Sequence, residues 1–402
     1  MPQIMAGHRA VAEAVKVCHP DVISAYPITP QTEIVMDLSQ MAADGELDGV
    51  FINVDSEFSA ASICVGASAA GARVFSASNS QGLKLMSEVL YSASGMRLPL
   101  VLAIANRSLS APLSIWCDHT DTFAERDSGV IQFYAEDVQE AMDNVLMAYR
   151  VAEDRDISLP AFSCLDGFIL THVYEPVELY DEEDVERFLP PRDPIFTLDP
   201  SDPVTMGAYA RPSEWTEAKY MIHDAQMKAK GKIAEAVKDF ADVFGRKYGL
   251  SYGGMVDTYM AEDADILLLA PGSVCGTIRC VIDEYRKKGE KVGLVKLRVY
   301  RPFPVEQLRK VFEEAKAVAV VERDVSPGYQ GGLAIDTKAS LYSTEIRIPI
   351  LDFIVGLGGR DVSRQDIRSI IEKAKRAAKK GTHVMKFEDE EIWEQLRMEI
   401  LP

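Results

Sequence analysis

The chain has 402 residues, which is long for a single hydrophobic core and predicts two or three domains. Hydrophobic residues make up 47% and charged residues 26%, as is typical of a folded globular protein. The formal net charge of −19 argues against binding to nucleic acid or to an anionic membrane, because both require a basic surface. No segment at the start resembles a signal peptide and no apolar run approaches the ~18 residues of a membrane span, so we expect a cytoplasmic location.

The first elements alternate between helix and strand. In chain order, the pattern predicts helix 7–18, strand 22–26, helix 32–41, strand 51–55, helix 57–71, strand 74–77, helix 83–96 and strand 98–105. Continuous apolar strands are typical of a parallel sheet that is covered by helices on both faces. We therefore predict a doubly wound α/β fold, in which ligands bind beyond the carboxyl ends of the strands.

Two features lie at such strand ends. The first is the loop Pro27-Ile28-Thr29-Pro30, which the two prolines hold extended and rigid. The second is Glu57, at the joint between a strand and a helix of small residues that could lie close to a flat ligand. Glu57 is either a first-turn carboxylate that suits the helix dipole or a buried acid that binds a ligand nitrogen.

The strand over 98–105 leads into Arg107 and then into about twenty residues with little periodicity. This segment contains Asp118, His119 and Asp121, which we expect to border a site without assigning catalysis to the histidine. A loop of this length inside a compact domain usually indicates function, and a surface excursion is the alternative.

A helix over 139–152 and a strand over 159–165 follow. Over 175–212, prolines and an acidic run predict an extended arm or linker with solvated charges, and a long polar helix over 214–244 leads onward. The second α/β unit is predicted to contain strands at 265–270, 292–297, 317–322 and 346–354. We place domains at 1–248 and 249–378 and an amphipathic tail at 379–402. Neither a Walker loop nor a dinucleotide fingerprint is found.

The six cysteines are Cys18, Cys64, Cys117, Cys164, Cys275 and Cys280. They form no Cys-x-x-Cys pair and no run of four, the spacings typical of iron–sulfur clusters. The last two are predicted to lie along one helix as small buried side chains, and a metal or cluster role is the alternative. We expect no iron–sulfur cluster and no metal on this polypeptide.

Several motifs together resemble one family. They are Tyr26-Pro-Ile-Thr-Pro30, Glu57 at its joint, Asn106-Arg-Ser-Leu-Ser-Ala-Pro-Leu-Ser-Ile-Trp-Cys-Asp118-His-Thr-Asp121, Leu297-Arg-Val-Tyr-Arg-Pro-Phe-Pro304 and Gly356-Leu-Gly-Gly-Arg-Asp361. The chain resembles the alpha subunits of pyruvate:ferredoxin oxidoreductases (pyruvate synthases), within the 2-oxoacid:ferredoxin oxidoreductase family. The resemblance implies a thiamine-diphosphate pyrimidine-binding domain over 1–248 and a smaller transketolase C-terminal-like domain over 249–378.

The resemblance also implies roles for site residues. Glu57 would engage the aminopyrimidine of thiamine diphosphate, and Pro27 and Ile28 would border the cofactor. Thr29 would hydrogen-bond the substrate, and Arg107 would bind its carboxylate through the planar guanidinium. A related oxalate-using enzyme carries Arg at the position of Thr29, so the threonine favours a 2-oxoacid with one carboxylate.

The resemblance implies a multi-subunit enzyme. The Gly-Asp-Gly and Asn residues that hold Mg²⁺ in thiamine enzymes are missing here, so a beta subunit would supply the diphosphate and Mg²⁺ site. The [4Fe-4S] clusters would lie on partner subunits of the beta, gamma and delta types, and ferredoxin would dock on another subunit. The implied reaction converts pyruvate and coenzyme A to acetyl-CoA and CO2. The alternatives are 2-oxoisovalerate, 2-oxoglutarate or oxalate as substrate, a non-catalytic scaffold subunit, and a nucleotide-binding α/β protein, which the missing fingerprint disfavours.

Overall fold

The computed structural model describes residues 2–380, which form two α/β units. The elements of the first unit (residues 2–248) are β1 (Gln3–Ala6), α1 (Gly7–Val17), β2 (Val22–Ala25), α2 (Thr32–Ala43), β3 (Val50–Asn53), α3 (Glu57–Ala69), β4 (Val74–Ser78), α4 (Ser80–Met96), β5 (Val101–Asn106), α5 (Thr120–Phe123), β6 (Ile131–Tyr134), α6 (Val138–Ala152), β7 (Ala161–Asp166), β8 (Tyr174–Val177), α7 (Glu182–Phe188) and α8 (Pro212–Phe244). Those of the second unit (residues 249–380) are β9 (Val256–Tyr259), β10 (Ile266–Pro271), α9 (Val274–Arg286), β11 (Val292–Leu297), β12 (Val299–Arg301), α10 (Val305–Phe312), β13 (Ala317–Glu322), α11 (Gly332–Leu341), β14 (Ile350–Ile354) and α12 (Arg364–Lys380), with 3₁₀ turns at Leu250–Tyr252 and Leu357–Gly359.

The first sheet has seven strands in the order β12-β6-β7-β5-β4-β2-β3. Its six strands from the first unit pair in parallel. Alternate residues of β5 face opposite sides, so Val101 and Ala103 pack with α1, α2 and α6, whereas Leu102 and Ile104 pack with α3 and α4. Helices therefore cover both faces, which confirms the predicted doubly wound fold.

The second sheet has the order β14-β13-β10-β11-β9, and only β9 runs antiparallel to its neighbour. Along β10, Leu267 and Leu269 join the apolar cluster that contains α3 and α4 of the first unit. Ile266 and Leu268 pack on the other side with α9 and α12. The second unit therefore packs directly on the first through a continuous apolar core.

Strand β12 belongs to the second unit by position in the chain but completes the first sheet. Its Val299 pairs antiparallel with Phe133 of β6. The strand and the residue before it are fully buried: Arg298, Val299 and Tyr300 are each 0% exposed. The domain boundary between residues 248 and 249 stays a prediction. The second unit contributes an edge strand, β12, to the first sheet.

The segment over 175–212 packs against the first unit. Its acidic run opens the short helix α7, which buries Val185 and Phe188. Further along, the guanidinium of Arg192 donates to the carbonyl of Ser68 over 2.9 Å, and the N–H of Leu198 donates to the carbonyl of Ala69 over 2.8 Å. The arm is thus fastened along the end of α3, although most of its acidic side chains face solvent as predicted.

The predicted tail over 379–402 lies almost entirely outside the described residues. Between residues 2 and 380, no helix is both long and apolar enough to cross a membrane. The described residues do test the predicted cysteine pair. Cys275 and Cys280 both lie in α9, with Cys275 buried as predicted and Cys280 exposed, contrary to the prediction, because it falls on the outer face of that helix.

Candidate active site

Four neighbouring strands of the first sheet, β5, β4, β2 and β3, end at the same edge. The Pro27–Pro30 loop follows β2, Glu57 follows β3, the start of α4 follows β4, and Arg107 follows β5. Because parallel strands direct their carboxyl ends to one edge, the three residue groups that the sequence singled out are brought to the same side of the sheet.

Arg107 ties this edge together. Its side chain is 6% exposed, and burial lowers the pKa of its guanidinium while the Asp121 carboxylate opposes that change. The guanidinium donates to the carbonyl of Thr29 over 2.8 Å, to the carbonyl of Ser114 over 2.8 Å and to Oε1 of Gln81 over 3.3 Å. A guanidinium carries five N–H groups, so two remain for a ligand.

Thr29 presents an unused hydroxyl beside this guanidinium. The residue is exposed, and its carbonyl, rather than its side chain, accepts the hydrogen bond from Arg107. No described residue is hydrogen-bonded to the Thr29 hydroxyl. An arginine with two available N–H groups and a neighbouring hydroxyl can together bind a small carboxylate.

Glu57 is the first residue of α3, which Ser56 caps by accepting from the N–H of Ser59 over 3.2 Å. The Glu57 side chain is 6% exposed, and none of the residues 2–380 donates a hydrogen bond to its carboxylate. It lies against α4, since a Cβ built on Gly82 would come within 2.5 Å of Oε1 of Glu57 and 2.6 Å of Oγ of Ser78. The Ser78 hydroxyl is itself buried without a partner.

The loop that contains Pro27 and Ile28 is held by side chains that the sequence did not single out. The N–H of Ile28 donates to Oε1 of Gln31 over 3.2 Å, and Nδ2 of Asn79 donates to the carbonyl of Ile28 over 3.1 Å. Gln31 also donates to the carbonyl of Ala77 over 2.9 Å. Pro27 is exposed and Ile28 half-buried, so both can border a ligand.

Asp121 anchors the start of the long loop. It accepts from the N–H groups of Ser80 and Arg107, each over 3.0 Å, and from Nδ2 of Asn106 over 2.9 Å. Burial raises the pKa of Asp121 to about 6, although these three donors lower it in part. Asp121 therefore supports the site by fixing the backbone of Arg107.

Asp118 and His119 face the second unit. Nε2 of His119 lies 2.7 Å from Oδ1 of Asp166, and both side chains are buried. Cys117, His119 and Asp166 bring possible metal-ligating atoms within 4.8 Å of one another, but Nη1 of Arg323 donates to Oδ2 of Asp166 over 2.9 Å. Because the guanidinium already neutralises the carboxylate, this donor set fits an ion-paired contact between the units.

The chain is therefore an α/β protein that places an unpaired carboxylate, Glu57, and an arginine with two available N–H groups, Arg107, at the carboxyl edge of a parallel sheet. Residues 13–238 match a family described as pyruvate flavodoxin/ferredoxin oxidoreductase, thiamine diphosphate-binding, and residues 264–367 match pyruvate:ferredoxin oxidoreductase core domain II. The chain belongs to the pyruvate:ferredoxin oxidoreductase family.

Curated relatives match over nearly the whole chain. The pyruvate synthase subunit PorA of Methanosarcina barkeri is 49% identical over 94% of each chain, and that of Pyrococcus furiosus is 46% identical over 99% of each. The ketoisovalerate oxidoreductase subunit VorA of Pyrococcus horikoshii is 43% identical over 98% of each. The resemblance drawn from the sequence motifs is thus confirmed.

Solved structures show the same fold. A 2-oxoglutarate:ferredoxin oxidoreductase from Magnetococcus marinus superposes with a TM-score of 0.70 at 19% identity, and the match covers 94% of this chain and 65% of that chain. A split-gene transketolase superposes with a TM-score of 0.54 at 14% identity over 93% of this chain and 99% of that chain.

The residues present fit the aminopyrimidine of thiamine diphosphate. A ring nitrogen needs a carboxyl group that is not already paired, and Glu57 provides one. Gly82 leaves room for that carboxyl group, because a Cβ on this residue would lie 2.5 Å from Oε1 of Glu57. The roles of Glu57, Thr29, Arg107, Pro27 and Ile28 remain proposals.

Proposed function

We propose that this chain is the alpha subunit of a pyruvate:ferredoxin oxidoreductase that acts as part of a multi-subunit complex. The complex would convert pyruvate and coenzyme A to acetyl-CoA and CO2, and two electrons would pass singly to ferredoxin. The observation that carries the proposal is the meeting of Glu57, Thr29 and Arg107 at one sheet edge, each with hydrogen-bonding capacity that the described residues leave unused.

Arg107 and Thr29 would bind the substrate. The two remaining N–H groups of Arg107 would pair with the carboxylate of the 2-oxoacid, and the Thr29 hydroxyl would donate to its carboxylate or keto oxygen. The guanidinium is oriented in advance, because three acceptors already hold it. Such preorganisation lowers the entropic cost of placing the substrate.

Glu57 would act on the cofactor. When bound, thiamine diphosphate supplies the carbon nucleophile that attacks the 2-oxoacid carbonyl. The Glu57 carboxyl group would hold a proton against a nitrogen of the aminopyrimidine ring. Because Gly82 has no side chain, the Glu57 carboxyl group has room beside α4. Pro27 and Ile28 would form a wall that excludes water from this side.

Partner subunits would complete the site. We propose that a beta-type subunit supplies Mg²⁺ and the diphosphate site, and that [4Fe-4S] clusters lie on beta, gamma or delta type subunits. The loop after Arg107 supports an interface here, because Leu113 is 72% exposed and Trp116 is 52% exposed. Apolar side chains exposed beside a site are typical of a protein interface. Ferredoxin would dock on another subunit, and the complex would lie in the cytoplasm.

The substrate is tested by anaerobic viologen reduction with the native complex, purified through this chain. Pyruvate, 2-oxoisovalerate, 2-oxoglutarate and oxalate are compared with and without coenzyme A. We expect pyruvate to give the highest kcat/KM, with a dependence on coenzyme A. The similarity to VorA makes 2-oxoisovalerate the second candidate, and a preference for it would overturn the assignment of pyruvate. Reduction with none of the four acids, from a complex loaded with thiamine diphosphate and clusters, would favour a scaffold subunit.

A further inference from the structure

The second unit touches the loop that contains the carboxylate-binding arginine. The N–H of Gly359 donates to the carbonyl of Cys117 over 2.7 Å, and the N–H of Gly358 donates to Oδ2 of Asp118 over 3.0 Å. Both glycines lie in the 3₁₀ turn Leu357–Gly359, which follows β14. The turn therefore binds two consecutive residues of the loop.

The contact between Gly359 and Trp116 is too close for a side chain on the glycine. A Cβ built on Gly359 would lie 2.3 Å from Cβ of Trp116 and 3.4 Å from the N of Cys117. On its other side, the Trp116 ring packs on Phe168, with 4.8 Å between the ring centroids. The Trp116 side chain thus lies between Gly359 of the second unit and Phe168 of the first.

A chain of hydrogen bonds leads from Trp116 to Arg107. The carbonyl of Trp116 accepts from the N–H of Ser108 over 3.1 Å, and its N–H donates to Oγ of Ser114 over 3.2 Å. The carbonyl of Ser114 accepts from Nε of Arg107 over 2.8 Å. A shift of Trp116 would therefore move an acceptor that orients the guanidinium.

A buried ion pair fixes the two units beneath this loop. Asp166 of the first unit accepts from Nη1 of Arg323 over 2.9 Å and from the N–H of Ser273 over 3.0 Å. The N–H of His119 donates to the carbonyl of Arg323 over 2.8 Å. Because separating buried opposite charges costs free energy, the ion pair holds the second unit in a fixed position against the loop.

We propose that the Leu357–Gly359 turn is a positioning element for Arg107, so that binding of the substrate carboxylate depends on a contact between the two units. This inference rests on the proposed role of Arg107 as the carboxylate ligand. Gly358, Gly359 and Asp118 are its positioning residues, and none of them needs to touch the substrate.

The test compares Gly359→Ala with Gly289→Ala in the assembled complex. The two glycines have similar positive φ angles, +78° and +80°, so alanine strains both backbones alike, but Gly289 has no neighbouring atom within 4 Å. We expect Gly359→Ala to raise KM for pyruvate by about tenfold or more with a smaller change in kcat, since displacements of about 1 Å have such effects. Thiamine diphosphate content should not change, and Gly289→Ala should alter KM by less than about twofold. An unchanged KM in assembled Gly359→Ala would overturn the inference.

A second variant and a second measurement keep the test decisive. If Gly359→Ala does not assemble, Asp118→Asn is used, because it leaves a single oxygen to accept from both Gly358 and Thr120 and should also raise KM. Hydrogen exchange of peptides covering 107–121 should be faster in either variant than in Gly289→Ala, whatever the substrate.

If Arg107→Lys raises KM but neither positioning variant does, only this inference fails. If the wild-type complex uses no 2-oxoacid, the proposed function fails, and the exchange data alone decide the positioning.

Discussion

Among single residues, the geometry of the site depends on Gly82, which has no side chain that could bind a ligand or react. Gly82 lies in α4, and its missing side chain is what lets the Glu57 carboxylate lie against that helix. The predicted helix over 83–96 excluded Gly82 and contained Gly95, but in the structure both glycines lie in α4. The packing of α3 against α4 is what gives Gly82 its importance, because no atom lies within 4 Å of a Cβ built on Gly95.

Alanine substitutions at Gly82 and Gly95 should have opposite effects. Gly82→Ala should displace the Glu57 carboxylate and weaken thiamine diphosphate binding by the assembled complex by about tenfold or more, since the new Cβ would lie 2.5 Å from Oε1. Gly95→Ala should leave affinity unchanged and stabilise the helix by about 0.5–1 kcal/mol. Cofactor titration and thermal unfolding measure the two effects. Equal cofactor affinity in both variants would contradict the proposed contact between Glu57 and the cofactor.

The sequence predicted part of this site and missed the rest for a physical reason. Thr29, Glu57 and Arg107 were singled out because each lies in a motif that carries the family resemblance and follows a predicted strand, and parallel strands share an edge. The supporting residues Gln31 and Asn79 act through contacts that are distant in sequence, from Gln31 to the carbonyl of Ala77 and from Asn79 to the carbonyl of Ile28. Short-range patterns contain no information about such contacts.

At the scale of elements, the same limit explains which strands were missed. The strands β2, β3, β4, β5 and β7 of the first sheet were predicted, and they are observed. The four-residue β6 and the three-residue β12 were not predicted, and they pair with each other across more than a hundred and fifty residues of sequence. The short β1 and β8 similarly depend on each other. Their stability comes from long-range pairing rather than from local propensity.

The start of β12 is joined to α6 by a buried ion cluster. Oε1 of Glu140 accepts from Nε of Arg298 over 2.6 Å, and Oε2 accepts from Nζ of Lys296 over 2.6 Å. Burial alone would raise the pKa of Glu140, but the two cations outweigh it and lower the pKa to about 2. The carboxylate thus links α6 of the first unit to β11 and β12.

This cluster predicts a pH dependence of folding stability. Because the pKa of Glu140 is lower in the folded than in the unfolded chain, its contribution is fully present above about pH 4.5 and is lost as the pH falls toward 2. The difference corresponds to about 3 kcal/mol. Glu140→Gln should remove this part of the acid sensitivity and should destabilise the chain at neutral pH by about 3–5 kcal/mol, because the buried Arg298 loses its carboxylate partner and Lys296 keeps only Glu136.

Urea unfolding at neutral pH and at pH 3 measures both effects. The exposed Glu88 provides the control, and Glu88→Gln should change the free energy of unfolding by less than about 0.5 kcal/mol. If Glu140→Gln matched the Glu88 variant at neutral pH, the ion cluster would not hold the units together.

In the whole molecule, the two units are joined by an extensive buried interface. Apolar residues of both units share a core cluster, and two buried ion clusters, around Asp166 and around Glu140, cross between them. The length of the chain predicted two or three domains but not this degree of contact between units. The proposed chemistry depends on it, since the second unit supports the loop that orients Arg107.

The proposed action of Glu57 on thiamine diphosphate within the assembled complex is tested by Glu57→Gln. The change keeps the shape of the side chain but removes the acid, so the complex should assemble, retain the cofactor and lose about a hundredfold or more in pyruvate-dependent viologen reduction. Glu88→Gln, prepared in parallel, should keep wild-type activity. An assembled, cofactor-loaded Glu57→Gln complex that turns over pyruvate at the wild-type rate would rule out this role of Glu57.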